Sequence, residues 1–211
     1  MRHIIITLLF IAFAETSFAH IELYGAMNIG ASKMDETQGV TSFNHTNSFF
    51  VGHWGFGGGA RFKYDVDKFG IGVVTDLAWL GDTFERKQTG GVTTDATYRF
   101  ESYRLLGGAT VSFAIGSFHL IGEYYPYVQN TVTYSDDKAE NPYRKNDKLK
   151  ATGFGLGFNY EFASNFGYSV IYRRLSYKDV EMNGASVSLP TAQYSALNID
   201  DIIVSLVIAF K

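Results

Sequence analysis

The stretch VGHWGFGGGARFKYD, residues 51–65, decides the fold. One parity carries Trp54, Phe56, Gly58, Ala60, Phe62 and Tyr64; the other carries His53, Gly55, Gly57, Gly59, Arg61, Lys63 and Asp65. Successive side chains of an extended chain point to opposite faces, so the segment reads as a strand with one oily wall and one small or charged wall. A helix of the same residues would scatter the aromatic rings around its surface. Residues 151–162 repeat the pattern, with Thr152, Phe154, Leu156, Phe158, Tyr160 and Phe162 opposite Ala151, Gly153, Gly155, Gly157, Asn159 and Glu161.

Carried along the chain, the alternation predicts eight strands, at about 20–32, 50–65, 69–80, 97–115, 118–134, 149–162, 166–178 and 197–210. The connections Val66-Asp67-Lys68, Gly116-Ser117 and Ser164-Asn165 are tight, whereas 33–49, 81–96, 135–148 and 179–196 read as long polar loops. Short turns at one end, long loops at the other and an even strand number describe an all-β, eight-stranded, antiparallel up-and-down transmembrane β-barrel with both termini on the short-turn side. The hairpin GFGGGARFKYDVDKFG, Gly55 to Gly70, returns as GFGLGFNYEFASNFG, Gly153 to Gly167. The matching positions are those that alternation and turn geometry constrain, so the echo is one of hairpins, not of a functional motif.

Which wall faces out follows from spacing. Aromatic residues stand ten apart on the oily parity: Trp54 with Tyr64, Phe69 with Trp79, Tyr103 with Phe113. At ~3.3 Å per residue and a tilt of ~40° this covers about 25 Å, the height of an apolar band between two aromatic girdles. The glycine-rich, charged parity then lines a narrow, wet, charged bore. The last strand, Ile202, Val204, Leu206, Ile208 and Phe210, keeps strict alternation, as closure requires of a wall whose free edge lipid could not satisfy.

Residues 1–19 read as an export leader and 20–211 as the barrel domain. Arg2 and His3 begin it, Ile4 to Ala14 is apolar, and Ser17-Phe18-Ala19 offers small residues for cleavage before His20. No internal apolar run reaches the ~18 residues of a helical span. The 18 basic and 21 acidic residues give a net charge of −3, with the basic ones scattered, so nucleic-acid binding has no support. Cysteine is absent, which excludes disulfides, thiolate metal sites and a cysteine nucleophile.

On the hairpins GFGGGARFKY and GFGLGFNYEF, the leader and the terminal IIVSLVIAF, the chain resembles the small eight-stranded outer-membrane barrels of the OmpA-transmembrane, OmpX and OmpW type. The resemblance implies a monomer in the cell outer membrane, in contact with its lipids and lipopolysaccharide. It also implies a C-terminal strand read by the barrel-assembly machinery.

On the inward parity lie Asp76, Arg104, Glu123, Arg173 and Asp201, expected to form one salt-bridge network across the lumen, because a lone charge there is costly. Arg174 breaks strict alternation and Pro126 cannot donate to a ladder, so both places are expected to bulge. The loop 135–148, SDDKAENPYRKNDK, reads as solvated, with lipopolysaccharide phosphates as a further contact for it and for Arg86 and Lys87. Ser117 and His119 share a face, yet they sit at a tight turn with no carboxylate in evident support, and no catalysis is expected. His45, His53 and His119 lack ligand spacing; neither metal nor cofactor is expected. A structural or surface-interaction barrel with a side-chain-filled lumen is the first reading, a narrow channel or conduit for small or apolar solutes the second, and a lipid A-modifying enzyme the third.

Overall fold

The computed structural model describes residues 17–47, 52–90, 94–182 and 185–210. Ten strands are present among them: β1 (Ser17–Gln38), β2 (Thr41–Thr46), β3 (His53–Val66), β4 (Phe69–Gln88), β5 (Ala96–Ile115), β6 (Phe118–Ser135), β7 (Lys148–Ala163), β8 (Phe166–Met182), β9 (Ala185–Ser188) and β10 (Leu197–Phe210). Eight of them close a ring in the order β1-β3-β4-β5-β6-β7-β8-β10, every neighbour antiparallel. Following paired residues once around leads from Phe210 through Ile21, Phe62, Val73, Ala109, Tyr124, Phe154 and Arg174 to Asp200, a stagger of ten positions along β10. That stagger sets the tilt of a closed barrel.

Of the expected leader, residues 1–16 lie outside the described residues, and Ser17, Phe18 and Ala19 already pair with Val66, Asp65 and Tyr64. The tight turns fall where the sequence placed them. Asp67 enters its turn at φ 54° and Gly116 at φ 61°, the left-handed region that Asp tolerates and Gly occupies without a Cβ clash.

The opposite end departs from expectation. β1 continues to Gln38, β4 to Gln88 and β8 to Met182, so much of 33–49, 81–96 and 179–196 is strand. β2 sits between β1 and β4 above the end of β3, and β9 pairs with β8. At a rise of about 2.5 Å per residue on a tilted strand, the 20 residues of β4 reach roughly twice the height of the apolar band. The excess forms a projecting head.

Within the head the polarity of the two walls is exchanged. Lower β4 sends Phe69, Ile71, Val73 and Leu77 outward and Asp76 inward; upper β4 sends Glu85 and Lys87 outward and Phe84 inward. β5 switches in the same way, from outward Tyr103 and Leu105 to inward Tyr98 and Phe100. A strand whose outside meets water must bury its apolar parity, so the inward residues make a core: Phe84 stacks on Tyr98 (5.4 Å between centroids) and Phe100 (5.9 Å). Met34, Val132, Leu175, Tyr177, Val180 and Leu197 pack with them. Through this core the bore is apolar, and the expectation of a wet, charged bore throughout is corrected there.

The connection 136–147 also differs from a solvated loop. Its Tyr143 is fully buried against Phe100 (4.8 Å), closing the head from above. The Asn141 side chain, likewise buried, holds the connection down by donating to Arg99 O (3.1 Å), Ser135 Oγ (2.8 Å) and Asp136 Oδ1 (2.8 Å). An apolar ring beneath a charged sequence explains why composition alone read this segment as solvated.

Candidate functional site

The lumen gathers the chain's unusual chemistry, in layers. Nearest the turns, Glu22 accepts Lys63 Nζ at 2.6 Å and lies 3.3 Å from His20, whose other ring nitrogen is 2.8 Å from Asp65. Arg61 spans this layer, 3.5 Å from Glu22 and 2.6 Å from Glu123. Above it, two tyrosines cross the bore. The Tyr24 ring packs face-on against the Arg61 guanidinium (4.5 Å) and covers Gly59, where a Cβ would stand 2.5 Å from its hydroxyl. Tyr125 donates to Glu123 and lies over Gly155. The glycines of the inward parity are thus the floor on which these rings rest.

The next layer holds the two lumenal arginines of β5 and β8. Arg104 and Arg173 both donate to Asp201 Oδ2 (2.8 and 2.9 Å) and both to Asn28 Oδ1 (2.7 and 2.9 Å). His53 stands between two carboxylates, 2.6 Å from Asp82 and 2.8 Å from Asp201. Asp76 is 3.9 Å from Arg104. All these side chains are buried, so removing one partner leaves charge that the low-dielectric interior cannot solvate.

Of the five residues singled out from the sequence, the structure brings together Arg104, Arg173 and Asp201, with Asp76 at the edge. Glu123 belongs to the lower layer, with Arg61 and Tyr125, so the single network is corrected to two layers divided by tyrosines. Arg173 faces inward and Arg174 outward, with no bulge between them; Arg174 is 3.8 Å from Asp200 on the outer wall. The Pro126 bulge is present, with Pro126 and Tyr127 both turned outward. Missed from the sequence were Glu22, Asn28, Asp82 and the partners of Arg61, Lys63 and His53. The signal for them was the inward parity itself, but pairing needs the ring: Arg104 and Asp201 are 97 positions apart.

A third polar layer caps the head. Glu36 accepts from Gln38 (2.7 Å), His45 (2.8 Å), Arg86 (3.0 Å) and Tyr194 (3.2 Å), and His45 meets the Tyr98 hydroxyl at 2.9 Å. Burial pushes the Glu36 carboxyl up, but the His45 and Arg86 hydrogen bonds outweigh it and hold it at about 2. Burial also pushes His45 down, against the pull of Glu36.

The aromatic residues of the outer wall fall into two rings. Trp54 and Trp79 meet edge to face at 5.1 Å, with Tyr103 opposite Trp79; Phe69 and Phe113 meet at 4.9 Å at the turn end, where Tyr64 also lies. At the turn end, too, His119 Nε2 is 3.6 Å from Glu161, a carboxylate the sequence did not reveal beside it.

No family model and no curated protein sequence matches the chain. Among solved structures it resembles the outer membrane protein OprG from Pseudomonas aeruginosa, at 13% identity and TM-score 0.50 over 91% of this chain and 95% of that one. Neisserial surface protein A aligns at 12% identity and TM-score 0.48 over 93% and 100%, and Ail of Yersinia pestis at 11% and 0.41 over 89% and 98%. The likeness to OprG is one of fold: an outer-membrane-type β-barrel.

Proposed function

We propose that the chain is a closed barrel of the bacterial outer membrane, inserted with its head outside the cell, and that its task is structural or surface-interacting. The observation that carries this reading is the filled lumen: two ionic layers, a pair of tyrosines and an aromatic core under Tyr143 stand in series along one bore. Exposed Val73, Leu77 and Leu206 between the two aromatic rings support contact with acyl chains. Loops and strands of the head carry the polar outer surface a partner would meet.

The N-terminal segment is read as an export leader ending at Ala19. Its removal leaves His20 at the start of β1 and keeps the Ile21–Phe210 pairing that closes the ring. The last strand, apolar on its outer parity to Phe210, supports recognition by the assembly machinery.

Protein extracted from outer membranes, with a mass beginning at His20, should give no stepwise conductance in planar bilayers. Steady single-channel currents from the unmodified protein would overturn the closed-barrel reading in favour of a narrow conduit.

A further inference from the structure

On the outer wall of the head, cations come with carboxylates. Lys33 stands 3.4 Å from Asp35, Lys87 2.7 Å from Glu85, and Arg99 2.7 Å from Glu101. Three lysines on β7 and β8 break this habit. Lys148, Lys150 and Lys178 are exposed, and among the described residues no carboxylate lies within ion-pair distance of any of them. Two acids share this surface without forming an ion pair: Asp179, opposite Lys150 in register, accepts the Ser188 hydroxyl (2.9 Å), and Glu181 accepts the Lys148 backbone N–H (3.0 Å), which leaves an excess of one positive charge over the three lysines and two carboxylates.

The wall beneath them is indented. β6 carries two consecutive outward residues, Pro126 and Tyr127, and β8 carries an extra residue, Lys178, across from the Lys150–Ala151 step. The two irregularities leave a cleft of about 220 Å³ lined by Pro126, Tyr127, Thr152, the two cations Lys150 and Lys178, and the Asp179 carboxylate. Its height is set by the strands. Lys150 lies four residues beyond Phe154, the last apolar outward residue of β7 on that side, hence roughly 10 Å above hydrocarbon contact, at the level of lipid headgroups.

We propose that this cleft is a docking site for a phosphorylated lipid of the outer leaflet. Tyr127 packs on the glycolipid or acyl portion while Lys150 and Lys178, with Lys148 above, reach its phosphates. Ammonium groups on long stems suit this role, because they contact phosphate as mobile point charges from a wall whose stems remain in apolar contact. The inference rests on the head lying outside the cell. Its test is independent of conductance, so the two readings fail separately.

The mature chain, refolded in zwitterionic micelles, is titrated with bisphosphorylated lipid A and followed by native mass spectrometry. One lipid should bind saturably. The variant Lys148→Gln/Lys150→Gln/Lys178→Gln should bind about 100-fold more weakly, roughly fivefold per lysine. Lys33→Gln/Lys87→Gln, at already paired positions, should bind as the parent does. Lys150→Arg should restore most of the loss of Lys150→Gln, and the heat-modifiable gel shift of each variant reports that the barrel is closed. Equal affinity of the parent for enzymatically dephosphorylated lipid A would overturn the proposal. So would displacement by millimolar inorganic phosphate, or an unchanged affinity in the triple variant.

Discussion

The band and the head are built from the same strands with opposite rules. In the band, β4 and β5 show lipid their apolar parity and keep Asp76 and Arg104 inside; five to nine residues further toward the head, Glu85 and Arg99 face water while Phe84 and Tyr98 are buried. Neither wall of a strand is intrinsically the core. What lies outside decides, because hydrocarbon leaves no gain in burying leucine whereas water does. The two regions also differ in how they fill their bore: the band uses ions over glycine, the head uses rings against rings, capped by the Glu36 cluster.

The largest test of this contrast is Asp201→Ala. It leaves two buried guanidiniums sharing Asn28, and should lower barrel stability by about 3–5 kcal/mol, read as a fall in the urea midpoint of unfolding in lipid vesicles. An unchanged midpoint would mean that the arginines are solvated independently. Next comes a paired test on one strand and one face. Leu77→Arg should cost about 2–4 kcal/mol, as a cation facing mid-band lipid, whereas Glu85→Leu, eight residues higher, should stay within about 0.5 kcal/mol. Similar costs at the two positions would remove the boundary between band and head.

The smallest effect concerns the cap on the head. Glu36, held at about 2, contributes stability that is complete above its ordinary pKa near 4.5 and lost as pH falls from there toward 2. His45, pushed down by burial, acts with the same sign from below its ordinary 6.5, because the unfolded head takes up the proton first. Proteolysis of the head should therefore speed up on acidification while the band stays protected, and Glu36→Gln should flatten the response below about pH 4.5. A pH-independent cleavage rate would show that the Glu36 cluster does not hold the head.

What could be read in advance was whatever repeats within a few residues. The turn-side ends of the ring strands, the outward rings of Trp54, Trp79 and Tyr103 and of Tyr64, Phe69 and Phe113, and the inward parity of Arg104 and Asp201 all follow from period two. The head ends of β1, β4 and β8 did not, because the cue in use was an oily outer parity. On β4 that cue stops at Gly81 as the polarity crosses over, so continuing strand looked like polar loop. Tyr143 was hidden for a related reason: a single buried ring in a charged dodecamer leaves no periodic trace.

By itself, then, the amino-acid order determined that this chain alternates, turns tightly at one end and must close on itself, since alternation and turn chemistry are local and an open edge in lipid is prohibitive. Tertiary structure alone decided the partners. The ten-position stagger of the closed ring brings Asp201 to Arg104 and Arg173 and sets Glu123 beside Arg61, and the length of the paired strands carries them far enough past the band for water to reverse which face is buried.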